Sequence, residues 1–115
     1  MERALTTSWL ASRLGVDPVR LHVLRRSGEL VAFRRGAGQE FVFPAWQFDA
    51  AWRPLPVLPR IVAAARELGI PDERLSALLE ARVGLGGTER LQDLARAGEV
   101  EQVLEALRGA AATRA

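Results

Sequence analysis

Between Leu5 and Leu30 the chain reads LTTSWLASRLGVDPVRLHVLRRSGEL, and its small and apolar residues fall where two short helices must cross closely. Ala11 removes bulk at the crossing, and Gly15, four residues on, can take positive φ in the turn without a Cβ penalty. Leu21 and Leu24 follow three apart, on the inner face of a second helix, which leaves Arg20, His22, Val23 and Arg26 pointing outward. Thr7 is the expected cap of the first helix. Asp17-Pro18 supplies a cap and a first-turn proline for the second, and Ser27-Gly28 closes it, so that helix is expected over Pro18 to Ser27. An ordinary helical hairpin with a solvated arginine face would show the same pattern.

After Leu30 the period shortens to two. Val31 and Phe33, then Phe41 and Phe43, alternate with Ala32, Arg34 and Val42, as in two half-buried strands. Arg35-Gly36-Ala37-Gly38-Gln39 between them fits a hairpin loop, with Arg34 and Arg35 at its shoulder. A glycine-bearing hairpin directly after two crossed helices occupies the position of the wing in a winged helix-turn-helix. There, arginines lie along the phosphate backbone or a minor groove of DNA.

Pro44 to Phe48 reads as a short helix beginning at proline, and Trp46, Phe48 and Trp52 lie close enough to cover the hairpin. Six of the seven aromatic residues fall between Phe33 and Trp52. Their alternation assigns them to packing rather than to a base-stacking platform, with Trp9 joining the same core. Pro54, Pro56 and Pro59 break the chain into a connector. Four short helices then follow: Arg60 to Leu68, one from Pro71 to about Val83, one capped by Thr88 that carries Leu91 and Leu94, and one with an apolar stripe at Val100, Val103, Leu104 and Leu107. Residues 110–115 are expected to fray. The organisation expected is a DNA-binding unit over 1–53, a connector at 54–59, and a helical dimerisation or partner-binding unit over 60–115. The fold class is mainly α with a small β-hairpin wing.

Composition narrows the functions. All 16 basic residues are arginine, and the net charge is only +2. Its distribution is skewed: residues 1–60 hold nine arginines against five acids, whereas 61–115 hold seven against nine. The basic half is therefore the half with the outward arginine face. With one histidine and no cysteine, lysine or tyrosine, a metal cluster, a thiol nucleophile and a Schiff base lack parts, so no enzyme, cofactor or small-molecule substrate is expected. Asp72-Glu73 and Glu99 with Glu101 read as helix N-terminal charges. Gly84-Leu85-Gly86-Gly87 has no lysine after it and no strand before it, and reads as a helix break rather than a phosphate loop. No apolar run approaches the roughly 18 residues of a membrane span, and the first residues lack the pattern of a signal peptide. A cytoplasmic, nucleoid-associated location is expected.

The N-terminal half resembles the excisionase and MerR-like winged helix-turn-helix group, through Ala11 and Gly15, the VDP of Val16 to Pro18, the SGEL of Ser27 to Leu30 and the strand ending at Pro44. The remainder resembles the toxin-binding domain of Xre/ParS-type antitoxins, through FPAWQF at Phe43 to Phe48, LGG at Leu85 to Gly87 and the tail from Leu94 to Leu107. It departs from that pattern after LGG, where a helix-starting proline is usual and Arg90 or Leu91 stands instead. The resemblance implies a DNA-binding regulator, an autoregulating antitoxin among the forms it can take, with an excisionase-like architectural protein and a toxin-masking interaction module as alternatives.

For DNA, the second helix offers Arg20, Val23 and Arg26 to bases, with His22 and Arg25 nearer phosphate. Thr7, Pro18, Val19, Arg34, Arg35, Gly36 and Gln39 complete the expected contact set. A homodimer linking two half-sites, or a cognate toxin, would meet Leu85, Leu91, Leu94, Val100, Val103, Leu104 and Leu107.

Overall fold

The computed structural model describes residues 4–81 and 90–112. The chain is mainly helical, with one small antiparallel sheet. Strand β1 (Ala4–Thr6) leads into helix α1 (Thr7–Leu14), a three-residue turn and helix α2 (Pro18–Ser27), followed by strands β2 (Phe33–Arg35) and β3 (Glu40–Pro44). A 3₁₀ turn at Ala45–Gln47 precedes four further helices: α3 (Leu58–Glu67), α4 (Asp72–Glu80), α5 (Leu91–Arg96) and α6 (Val100–Ala112). The helix expected from Arg60 starts two residues earlier, with Pro59 in its first turn. The last helix stays regular through Ala112 rather than fraying from Ala110. Arg90 caps α5, and Thr88, its expected cap, lies outside the described residues with Leu85 and the glycines beside it.

Local signals decide the first two helices. Gly15 sits at φ 69° and Gly28 at φ 86°, each closing a helix in the left-handed region that a Cβ disfavours. Asp17 accepts the Val19 N–H at 2.8 Å ahead of Pro18. The cap of α1 is Thr6, whose hydroxyl accepts the Trp9 N–H at 3.1 Å. Thr7, the residue expected there, is the first of the helix and donates instead to the Phe41 carbonyl at 3.4 Å.

The sheet has the order β1-β3-β2. Its register corrects the simple alternation: Phe33 faces Val42 and Arg34 faces Phe41, while Leu5 faces Phe43. Directly opposed residues share a face, so Leu5, Phe43, Phe41 and Arg34 form the side turned toward α2, and Phe33 lies on the other side. Val31 and Ala32 stand outside the strand but are fully buried.

One buried cluster runs from Leu5 and Leu10 through Leu21, Phe43 and Trp46 to Leu58, Ile61, Leu75 and Leu107. The 54–59 segment is part of it, with Leu55 buried and its N–H donating to the Gln47 carbonyl at 2.8 Å. Two polar contacts tie the halves together across this cluster. Trp46 Nε1 donates to Ser76 Oγ at 3.2 Å, and the Ala32 N–H donates to Asp72 Oδ2 at 3.4 Å.

Candidate nucleic-acid interface

Helix α2 is built with two unlike sides. Leu21 is fully buried, and Leu24 packs against the same core. Val19 and Val23 are 68% and 45% exposed, and Arg20 and Arg26 stand exposed beside them. Two exposed β-branched residues interleaved with guanidinium groups gain nothing for folding. In a groove, they would offer apolar contact to thymine methyls beside donors for guanine.

Phe41 joins this helix to the hairpin. The Arg25 guanidinium carbon lies 4.1 Å from the centre of its ring, and that of Arg34 lies 4.8 Å away. Arg34 arrives by cross-strand pairing with Phe41, Arg25 by its place on the sheet-facing side of α2. The aromatic assigned by its alternation to core packing is thus only half-buried, and its faces carry cations. Arg35, on the opposite side of the hairpin, covers Phe33 at 5.1 Å and stands opposite Glu40.

Among the described residues, none of Arg20, Arg25, Arg26, Arg34 and Arg35 forms an ion pair. The pKa of Arg25 is lowered from the ordinary guanidinium value, first by burial and then by the charges of Arg26 and Arg34, with Asp72 opposing. Positive charge is concentrated here against its own repulsion.

Some expected contacts are placed otherwise. His22 points not outward but against the sheet, 5.3 Å from Phe41 and 6.3 Å from Phe43, with Nδ1 buried and unpartnered among the described residues. Burial first, then Arg25 and Arg26, lowers its pKa below the usual 6.5. Its helical offset of one from Leu21 and three from Arg25 turns it toward the hairpin. Gln39, at φ 52°, closes the hairpin turn by donating Nε2 to the Gly36 carbonyl at 3.0 Å, and both stay exposed at the tip. Pro18 is exposed at the start of α2. An open cleft of about 460 Å³ lies between the start of α1 and the hairpin, lined by Thr6, Thr7, Ser8, His22, Arg34, Gln39, Glu40 and Phe41.

Trp9 is 46% exposed rather than part of the core, and meets Trp52 edge-on at 5.2 Å. The expected partner surface is also different: Leu91, Val103, Leu104 and Leu107 are buried within the chain, where α6 packs on α3 and α5. Leu94 and Val100 are partly buried against the same core. Their stripe is satisfied internally because α6 packs against α3, whose Leu58, Ile61, Val62 and Ala65 are buried in the same core.

Two positioning residues had no role announced by the sequence, although Gln47 lies within FPAWQF. Gln47, fully buried, accepts the Val31 N–H at 2.7 Å and donates to the carbonyls of Val31 at 2.8 Å and Pro44 at 3.0 Å, fixing both chain segments that flank the hairpin. Arg66 of α3 donates to the Arg25 carbonyl at 3.3 Å, placing a cation at the C-terminal end of α2 where the helix dipole favours one. The only advance signal for Arg66 was its sequence distance from a glycine-closed helix, which is no signal at all.

The sequence matches no known family model and no curated protein. The fold is shared with a solved structure: the NMR structure of Rv2175c aligns at a TM-score of 0.76 over 95% of this chain and 81% of that one, with 21% sequence identity. At that identity the likeness concerns the fold. No helix among the described residues is long and apolar enough to cross a membrane.

Proposed function

We propose that this chain is a winged helix-turn-helix protein that binds double-stranded DNA sequence-specifically and acts as a transcriptional regulator. The observation that carries the reading is the arginine face, without ion pairs among the described residues, shared by α2 and the β2–β3 hairpin and joined at Phe41. Helix α2 enters the major groove with Arg20, Val19, Val23 and Arg26 toward base edges, while Arg25, Arg34 and Arg35 meet phosphates. His22 supports the hairpin from behind rather than touching DNA. The protein works by binding, with no chemistry of its own.

A pair of such units would read two half-sites and gain affinity from linkage. Because Leu91, Val103, Leu104 and Leu107 are packed inside each unit, a pair must meet through other surfaces. The same burial withholds Val103, Leu104 and Leu107 of that tail from a toxin, which favours DNA binding over toxin masking through the apolar stripe.

Selection of bound duplexes from a random-sequence pool tests the reading. A defined motif should emerge for the natural chain, and Arg20→Ala should relax it at one position, since an arginine bidentate on guanine gives about 1 to 3 kcal/mol of discrimination. Recovery of unselected sequence by the natural chain would refute sequence-specific recognition.

A further inference from the structure

We infer that Phe41 is a positioning residue for phosphate binding, holding Arg25 of the helix and Arg34 of the hairpin on one ring so that the two take adjoining phosphates of one DNA strand. The inference rests on the proposed DNA-binding reading and deepens it. Both guanidinium carbons lie against one ring, so they are separated by no more than the sum of their 4.1 and 4.8 Å ring distances. Neither has an ion pair among the described residues, and the Arg25 Nε is buried without a hydrogen-bond partner there. Asp72 acts on Arg25 without forming an ion pair with it, so the two like charges are held instead on the negative face of an aromatic ring, which leaves their terminal N–H groups available. An acid in that place would have stabilised the arginines better in the free protein and cancelled the field that attracts phosphate.

Phe41 is itself fixed from three sides. Its backbone carbonyl accepts the Thr7 hydroxyl of α1, its ring lies tilted against the His22 imidazole of α2 at 5.3 Å, and its strand pairs with both β1 and β2. Arginine is costly to immobilise because it has many rotamers, and this cost falls at binding unless the side chain is already held. Phe41 therefore transfers the ordering of two arginines from the binding step to folding. The site is one where an aromatic acts without touching DNA.

The test uses the full chain and sonicated mixed-sequence duplex DNA, titrated by fluorescence anisotropy at several salt concentrations, with thermal melts alongside. Phe41→Leu and Phe41→Met should each weaken binding about tenfold, the immobilisation cost of two arginines. The slope of log affinity against log salt should stay unchanged, because the charges remain. Phe41→Tyr should retain the natural affinity. Arg25→Ala with Arg34→Ala should reduce the slope by about 2 and abolish the effect of Phe41→Leu in that background. Unchanged affinity in both Phe41→Leu and Phe41→Met overturns the inference, as does an equal loss when the arginines are already gone, which marks a structural role alone. Failure of the natural chain to bind duplex DNA at any salt concentration instead overturns the DNA-binding reading beneath it.

Discussion

Replacing Gln47 with leucine should cost this protein much of its stability, although Gln47 touches no candidate contact to DNA. The side chain is fully buried and makes three hydrogen bonds, to the N–H and carbonyl of Val31 and to the carbonyl of Pro44, at 2.7, 2.8 and 3.0 Å. Leucine is close in size, so the packing loss is small and the cost is almost wholly polar. One backbone donor and two acceptors would be left unpaired in a water-free site, at about 1 to 3 kcal/mol each. Taking the lower part of that range for the carbonyls, which tolerate under-satisfaction better than an N–H, the sum is about 3 to 6 kcal/mol. Domains have only about 5 to 15 kcal/mol in total. Urea unfolding followed by circular dichroism measures this directly, and with a slope of about 1.5 kcal/mol per molar the midpoint should fall by about 2 to 4 M. A loss under about 1 kcal/mol would mean that water reaches these groups or that the backbone finds other partners, and would refute the role given to Gln47.

The half-buried histidine makes stability pH-dependent. Its pKa is lowered in the folded state, by burial first and then by Arg25 and Arg26, so the unfolded chain takes up the proton more readily and stability is lost as pH falls below the usual 6.5. Urea midpoints at about pH 7.5 and about pH 5.5 should differ in the natural chain and differ less in His22→Gln, and equal dependence in both would remove His22 as the cause. Asp72 has its pKa raised, chiefly by burial. Its charged form is disfavoured, so Asp72→Asn should be at least as stable as the natural chain at neutral pH, with the advantage shrinking in acid. A marked loss in a neutral-pH melt would contradict this. Gly28→Ala should destabilise by more than Gly15→Ala. Both sit at positive φ, worth about 1 kcal/mol to glycine, but a Cβ at Gly28 would also stand 3.0 Å from Arg66 Nη1 while the space around Gly15 is open. Equal melting temperatures for the two variants would show that the Arg66 guanidinium yields freely.

Legibility in the sequence followed the range of the interactions. Helix ends depend on one or two residues and their dihedral angles, and Asp17-Pro18, Gly15 and Gly28 could be read directly. The hairpin was similarly local, with Gly36 opening its turn. Strand β1 escaped because three residues have too little periodicity, and Ala4–Thr6 becomes a strand only by pairing with Val42 to Pro44. The face of Phe33 was misassigned because a turn of Gly36 to Gln39 sets a register that pairs Arg34, not Phe33, with Phe41. Trp9 and the apolar stripe of α6 show complementary errors: hydrophobicity alone put the first inside and the second at an interface. Which of them is covered depended on α3 and on the loop carrying Trp52, both distant in sequence. The hydrogen bonds of Gln47 to Val31 and of Asp72 to Ala32 were invisible for the same reason, since the partners lie 16 and 40 residues away.

The salt dependence of duplex binding tests most directly whether Arg25, Arg34 and Arg35 meet DNA phosphates. Each phosphate neutralised contributes about −0.9 to the slope of log affinity against log salt, so the natural chain should give about −3, falling to about −1 in Arg25→Ala with Arg34→Ala. A slope near zero, or the same slope in both proteins, would contradict the assignment of these arginines to DNA phosphates.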